Sequence, residues 1–105
     1  MMDNLINELV TLTIEKKIKW NTIDHLFIDG HAYSDNFQHI IANKSFYTNY
    51  QNKIVIVLYG EVRDFWNQRT VSNFFIQFYS DGKIEKLKFD EREIVKLHTL
   101  ITLTF

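Results

Sequence analysis

Two adjacent residues, Asp81 and Gly82, separate a β-rich run ending at Ser80 from another beginning at Lys83, and they dictate how the two segments meet. An Asp-Gly pair between alternating segments suits a type I′ turn, whose two central residues need φ > 0. A turn of that length sets the register, and the register assigns every side chain to a face. Phe74, Ile76 and Phe78 then share one face with Leu87 and Phe89, while Phe75, Gln77 and Tyr79 share the other with Ile84, Lys86 and Lys88. The first set reads as core. The second mixes aromatic, amide and ammonium groups, and a sheet does not need that mixture merely to fold.

The segment upstream supplies more strands. Ser45 to Tyr50 is rich in Phe, Tyr and Thr and reads as a strand, with Gln51 and Asn52 as a tight turn. Lys53 to Val62 follows, with Ile54, Ile56, Leu58 and Val62 at one parity and Val55, Val57, Tyr59 and Arg63 at the other. Both parities are apolar in its first half, which places this strand centrally. Residues 64 to 70 read as a loop carrying Phe65, Trp66 and Arg69, before the hairpin strands Val71 to Ser80 and Lys83 to Phe89.

Helical patterns bracket these strands. Asp3 or Asn4 can cap a first helix whose stripe is Leu5, Ile6, Leu9, Val10 and Leu12. Lys16 and Lys17 would fall on that stripe, so the helix is expected to end there, with Trp20 tucked inward after a short extended exit. Asp90 with Glu93 resembles a capping box opening a last helix lined by Ile94, Leu97, Ile101 and Phe105. The chain stops on Phe105, apolar and uncapped, which predicts either that this end is packed down or that further residues follow. Between residues 21 and 44 the chain is polar and turn-rich, with a short helix expected from Asp35 to Asn43.

These elements predict an α+β fold, one domain over residues 1–105: a two-layer sandwich of a four-stranded antiparallel β-meander flanked by an N-terminal and a C-terminal helix. A chain of 105 residues suits a single core. The helices are expected to cover Ile54, Ile56, Leu58, Phe74, Ile76, Phe78, Leu87 and Phe89. Val55, Val57, Tyr59, Arg63, Phe75, Gln77, Tyr79, Lys86 and Lys88 would then share the opposite face, left open or closed by the middle segment or another chain.

Composition narrows the functional classes. Net charge is −1, so binding to nucleic acid or anionic lipid would need a local patch. There is no Cys, which excludes disulfide and thiolate chemistry and fits a cytoplasmic setting. The N-terminus lacks a basic region followed by an apolar one, which predicts no secretory leader, and no apolar run is long enough to span a membrane. Heavy use of Lys, Asn, Ile and Phe beside two Ala and no Pro implies A/T-rich codons, hence a low-GC bacterium or its phage.

Nine Phe, five Tyr and two Trp exceed what a core of this size must hold. Tyr59, Arg63, Trp66, Arg69, Phe75, Gln77, Tyr79, Lys86 and Lys88 are therefore the expected partner-binding residues, since rings and Arg ringed by polar groups typify protein interfaces. The dull alternatives are that Trp66 folds back to cap the core, that the middle segment covers the apolar half, and that the lysines only guard an edge strand.

His25, Asp29, His31, Asp35 and His39 carry metal-ligating groups, but their spacing matches no metal signature and also suits plain turns. His98, at the edge of the last helix's stripe, has no nucleophile or acid placed with it and reads as a hydrogen-bonded boundary residue. No Gly-rich phosphate loop, nucleophile elbow or zinc-protease motif is present, so no catalytic residue, metal or cofactor is assigned.

The expected function is thus a small non-catalytic protein-interaction module, with an inhibitor or accessory protein of the anti-defence or immunity type as its concrete version. A homodimer through the same face is the other way to hide the rings. The alternatives are single-stranded nucleic-acid binding, with bases stacked on Tyr59, Phe75 and Tyr79 beside Lys86 and Lys88, and a metal-dependent enzyme built on residues 24–39.

Overall fold

The fold is described from a computed structural model, for residues 5–105 except the Asn36 side chain. It is α+β, with helices at the two ends, α1 (Leu5–Ile14) and α2 (Glu91–Thr104). The main sheet is antiparallel and five-stranded, in the order β1 (Asn21–Thr22), β4 (Phe46–Tyr50), β5 (Lys53–Asp64), β6 (Arg69–Ser80) and β7 (Lys83–Leu87). The expected meander is therefore present and gains β1 at one edge, where Asn21 and Thr22 pair with Tyr47 and Phe46. Among the described residues, the short β2 (Phe27–Ile28) and β3 (His31–Ala32) pair only with each other. The start of the first helix at Asp3 or Asn4 lies outside the described residues.

The turns follow the local sequence. Asp81 and Gly82 have φ of 52° and 77°, with Ser80 opposite Lys83, the geometry that an Asp-Gly type I′ turn requires. Gln51 and Asn52 repeat it with φ of 49° and 65° between Tyr50 and Lys53. The loop between β5 and β6 is shorter than expected. Asp64 pairs with Arg69, so only residues 65–68 turn, and the two strands run twelve residues each.

That even-numbered turn corrects the assignment of faces on β5. Residues on paired strands share a face when they lie opposite one another, and here Val55 faces Phe78, Val57 faces Ile76 and Tyr59 faces Phe74. Val55 and Val57, with Ile76, Phe78 and Leu87, lie under the two helices, packed on Leu5, Ile6, Leu9, Ile94, Leu97 and Ile101. Ile54, Ile56 and Leu58, opposite Tyr79, Gln77 and Phe75, lie on the other side. β5 is apolar at both parities, so its composition did not choose between the two arrangements.

The second side is not bare. The irregular stretch from Ile23 to Ala42 lies over it, and Ile23, Leu26 and Tyr33 pack on Ile56 and Leu58 to form a second core. The helix-on-sheet sandwich is thus covered by coil on its outer side. The short helix expected from Asp35 to Asn43 is absent. Tight 3₁₀ turns at Tyr33–Asn36 and Ala42–Lys44 flank a bent stretch in which His39 has φ of 66°. That stretch straps onto the β5 edge. The Ile41 amide donates to the Tyr59 carbonyl at 2.9 Å, and the Glu61 amide to the His39 carbonyl at 3.0 Å. Gly60 permits this crossing, because a Cβ there would stand 2.9 Å from the His39 carbonyl oxygen.

Among the described residues no buried side-chain polar atom lacks a hydrogen-bond partner. The Ser45 hydroxyl receives the Tyr59 amide at 2.9 Å and donates to the Ile41 carbonyl at 2.9 Å, which ends the β4 ladder. Trp20 is buried as expected, and its indole N–H donates to Thr13 Oγ1 at 2.9 Å. α2 begins where the sequence predicts, with the Asp90 carboxylate accepting from the Arg92 amide at 2.9 Å. No helix among the described residues is long and apolar enough to cross a membrane.

Candidate functional site

The length of β5 and β6 creates the site. β4 pairs with β5 only as far as Val57, and β7 pairs with β6 only from Ile76 onward. Past the strap at Gly60, residues 61–64 and 69–72 therefore project as a two-stranded arm, and β6 has no β7 partner until Ile76. On the coil side of the arm, Val62 faces Val71, each more than a third exposed, and Phe75 is 48% exposed. On the helix side lie Arg63 with Thr70 and Glu61 with Ser72.

The arm ends in a fixed turn bearing two free rings. One oxygen of the Asp64 carboxylate accepts from the Trp66 and Asn67 amides at 3.1 and 3.3 Å, and the other accepts from Asn67 Nδ2 at 2.7 Å. The Asn67 side chain and backbone, followed by the Trp66 amide, hold the Asp64 carboxyl below the usual carboxylate range. Arg69 lies 3.9 Å from the same carboxylate. Gln68 closes the turn at φ of 52°. With its backbone held in this way, the turn leaves Phe65 81% and Trp66 97% exposed. Trp66 does not fold back on the core.

Arg63 and Arg69 flank this tip on opposite faces of the arm. Phe75 forms one wall of a groove of about 490 Å³ on the coil side, together with Phe37, Ile40, Leu87 and Lys86. Gln77 reaches its floor but is only 3% exposed, and its carbonyl oxygen accepts from the Tyr33 hydroxyl at 2.6 Å. Gln77 is thus spent inside the second core, a correction to its placement on an outer face. Tyr79 is half-buried against that same core. Lys88 lies just past the end of β7 and is exposed.

Tyr59 is not on this face at all. Its ring packs 5.1 Å from Phe74 and stacks at 5.4 Å on His98, and its hydroxyl donates to Glu61 at 2.7 Å. Tyr59, Phe75 and Tyr79 therefore form no continuous row for stacked bases. Val62 and Val71 were missed as site residues, because they become neighbours only once the turn is counted as four residues.

His98 is the boundary residue expected. Its Nε2 lies 2.6 Å from the Lys44 carbonyl, and burial lowers its pKa despite that bond, which raises it. The histidine and aspartate segment is dispersed. His25 pairs with its neighbour Asp24 at 3.9 Å, and the His39 carbonyl serves the strap. Among the described residues no three His, Asp or Glu side chains gather as a metal site. Searches of known protein families, curated proteins and solved structures find no match for this chain.

Proposed function

We propose that this chain is a non-catalytic protein-interaction module whose docking element is the tip of the β5–β6 arm. Phe65 and Trp66 act as anchors, Val62, Val71 and Phe75 extend the apolar track, and Arg63, Arg69 and Lys86 form its charged rim. The observation that carries the reading is Trp66, almost wholly exposed on a turn whose backbone is pinned by Asp64. A large ring held in water on a braced loop gains much on burial and loses little freedom in doing so. Trp and Arg are the residues that dominate interface energetics. An inhibitor or accessory protein of a low-GC bacterium or its phage is the form we favour.

The test is paired capture from lysates of low-GC bacteria, uninfected and phage-infected, with wild-type protein and with Trp66→Ala. A protein retained by the wild type and lost by the variant is the expected result. Equal retention by both would move the docking site away from the tip.

A further inference from the structure

The open edge of the arm offers unpaired backbone groups instead of rings, on the same strands that carry Val62 and Val71. The Asp-Gly turn makes Ser80 and Lys83 a hydrogen-bonded pair, so even-numbered residues of β6 aim their N–H and C=O groups toward β7. β7 stops at Leu87, opposite Ile76. Among the described residues, no strand lies beyond Thr70, Ser72 and Phe74 on that side. Apart from Arg69 at its outer end this edge lacks the usual guards, since Thr70 to Phe75 contains no charged residue and no Pro and runs opposite β5 without a break in pairing. The neighbouring β7, by contrast, carries Lys83 and Lys86.

We infer that this edge pairs with the same edge of a second copy, antiparallel about a two-fold axis at Val71. Such an axis is the ordinary symmetry of a homodimer. It sets Val71 against its own copy and joins the exposed Val62–Val71 pair of each chain into a row of four valines. On the opposite face Thr70 meets Ser72, a pair whose hydroxyls bond across strands. Arg69 meets Asn73, so the two arginines do not face each other. In this register Gln68 lies opposite Phe74, and the four-residue turn ends just short of Leu87 of the other copy, in the space where β7 stops. An axis placed one residue further toward the core would drive that turn into β7. A net charge of −1 per chain sets up no repulsion between copies.

The test is the mass in solution by light scattering, with amide hydrogen exchange at several protein concentrations. Wild-type protein is expected as a dimer, with the Thr70 and Ser72 amides gaining protection as concentration rises. Ser72→Pro removes an outward N–H, and Val71→Lys places like charges at the axis. Each is expected to shift the mass to one chain with an unchanged circular dichroism spectrum. Since Ser72→Pro risks straining β6, Val71→Lys gives the independent reading. A wild-type monomer throughout, or a dimer that survives Val71→Lys, overturns the inference. Trp66→Ala is expected to remain dimeric, which separates this edge from the tip proposed to bind another protein.

Discussion

The two tryptophans of this chain stand in opposite environments, and only one of their truncations should cost the fold much stability. Trp20 is buried among both helices, and its indole donates to Thr13. Trp20→Ala leaves Thr13 Oγ1 still bonded to the Leu9 carbonyl at 2.6 Å, so no hydroxyl is orphaned. The cost is therefore the lost transfer energy plus the cavity, about 3–5 kcal/mol for a buried Trp. Set against a typical domain stability of roughly 5–15 kcal/mol, that removes much of the margin. Trp66 is 97% exposed, so its truncation removes almost no burial gained on folding. Trp66→Ala is expected to change stability by less than ~0.5 kcal/mol. Urea unfolding followed by far-UV circular dichroism measures both, with unchanged slope and a shifted midpoint marking a true stability change. A loss above ~2 kcal/mol for Trp66→Ala would mean that the ring is packed on folding, since that is the range of a buried side chain. A neutral Trp20→Ala would equally refute the assignment of the core.

Three further outcomes follow from the packing. Gly60→Ala pushes a Cβ against the His39 carbonyl and should destabilise by about 1–3 kcal/mol in the same unfolding assay, the usual range for overpacking. Tyr33→Phe leaves the Gln77 carbonyl oxygen buried without its donor and should cost about 1–3 kcal/mol, whereas Tyr33→Phe with Gln77→Leu should recover much of that, because removing both partners is cheaper than removing one. His98 has a folded pKa below its unfolded value, so the stability it contributes is full above about pH 6.5 and is lost as pH falls through the folded pKa. Thermal melts from pH 7 down to 5 should therefore fall more steeply for wild type than for His98→Phe, and parallel curves would refute the shift.

Much of the architecture was legible because it is written locally. Asp81-Gly82 demands one turn geometry, Asp90 caps the helix that follows it, and Trp20 closes a stripe that Lys16 and Lys17 interrupt. What was not legible depends on counting across a turn. Asp64 draws its loop tight through three donors, and one residue more or less would exchange the two faces of β5. With Ile54, Ile56 and Leu58 as apolar as Val55 and Val57, hydrophobicity did not choose between them. The coil layer was illegible for a related reason. Its core residues Ile23, Leu26 and Tyr33 follow no period, because each 3₁₀ turn resets the direction of the chain. Of the candidate site, Trp66 and its arginine neighbours could be read as an exposed cluster or as a cap. The length of the arm, which carries the turn beyond the core, decides for exposure.

The most direct test of tip docking is the affinity of the captured protein for wild type and Trp66→Ala, measured by calorimetry on material with matched unfolding midpoints. Weakening by more than about 1 kcal/mol, roughly fivefold in the dissociation constant, is the expected result for an anchor ring. Equal affinities for two equally stable proteins would contradict it.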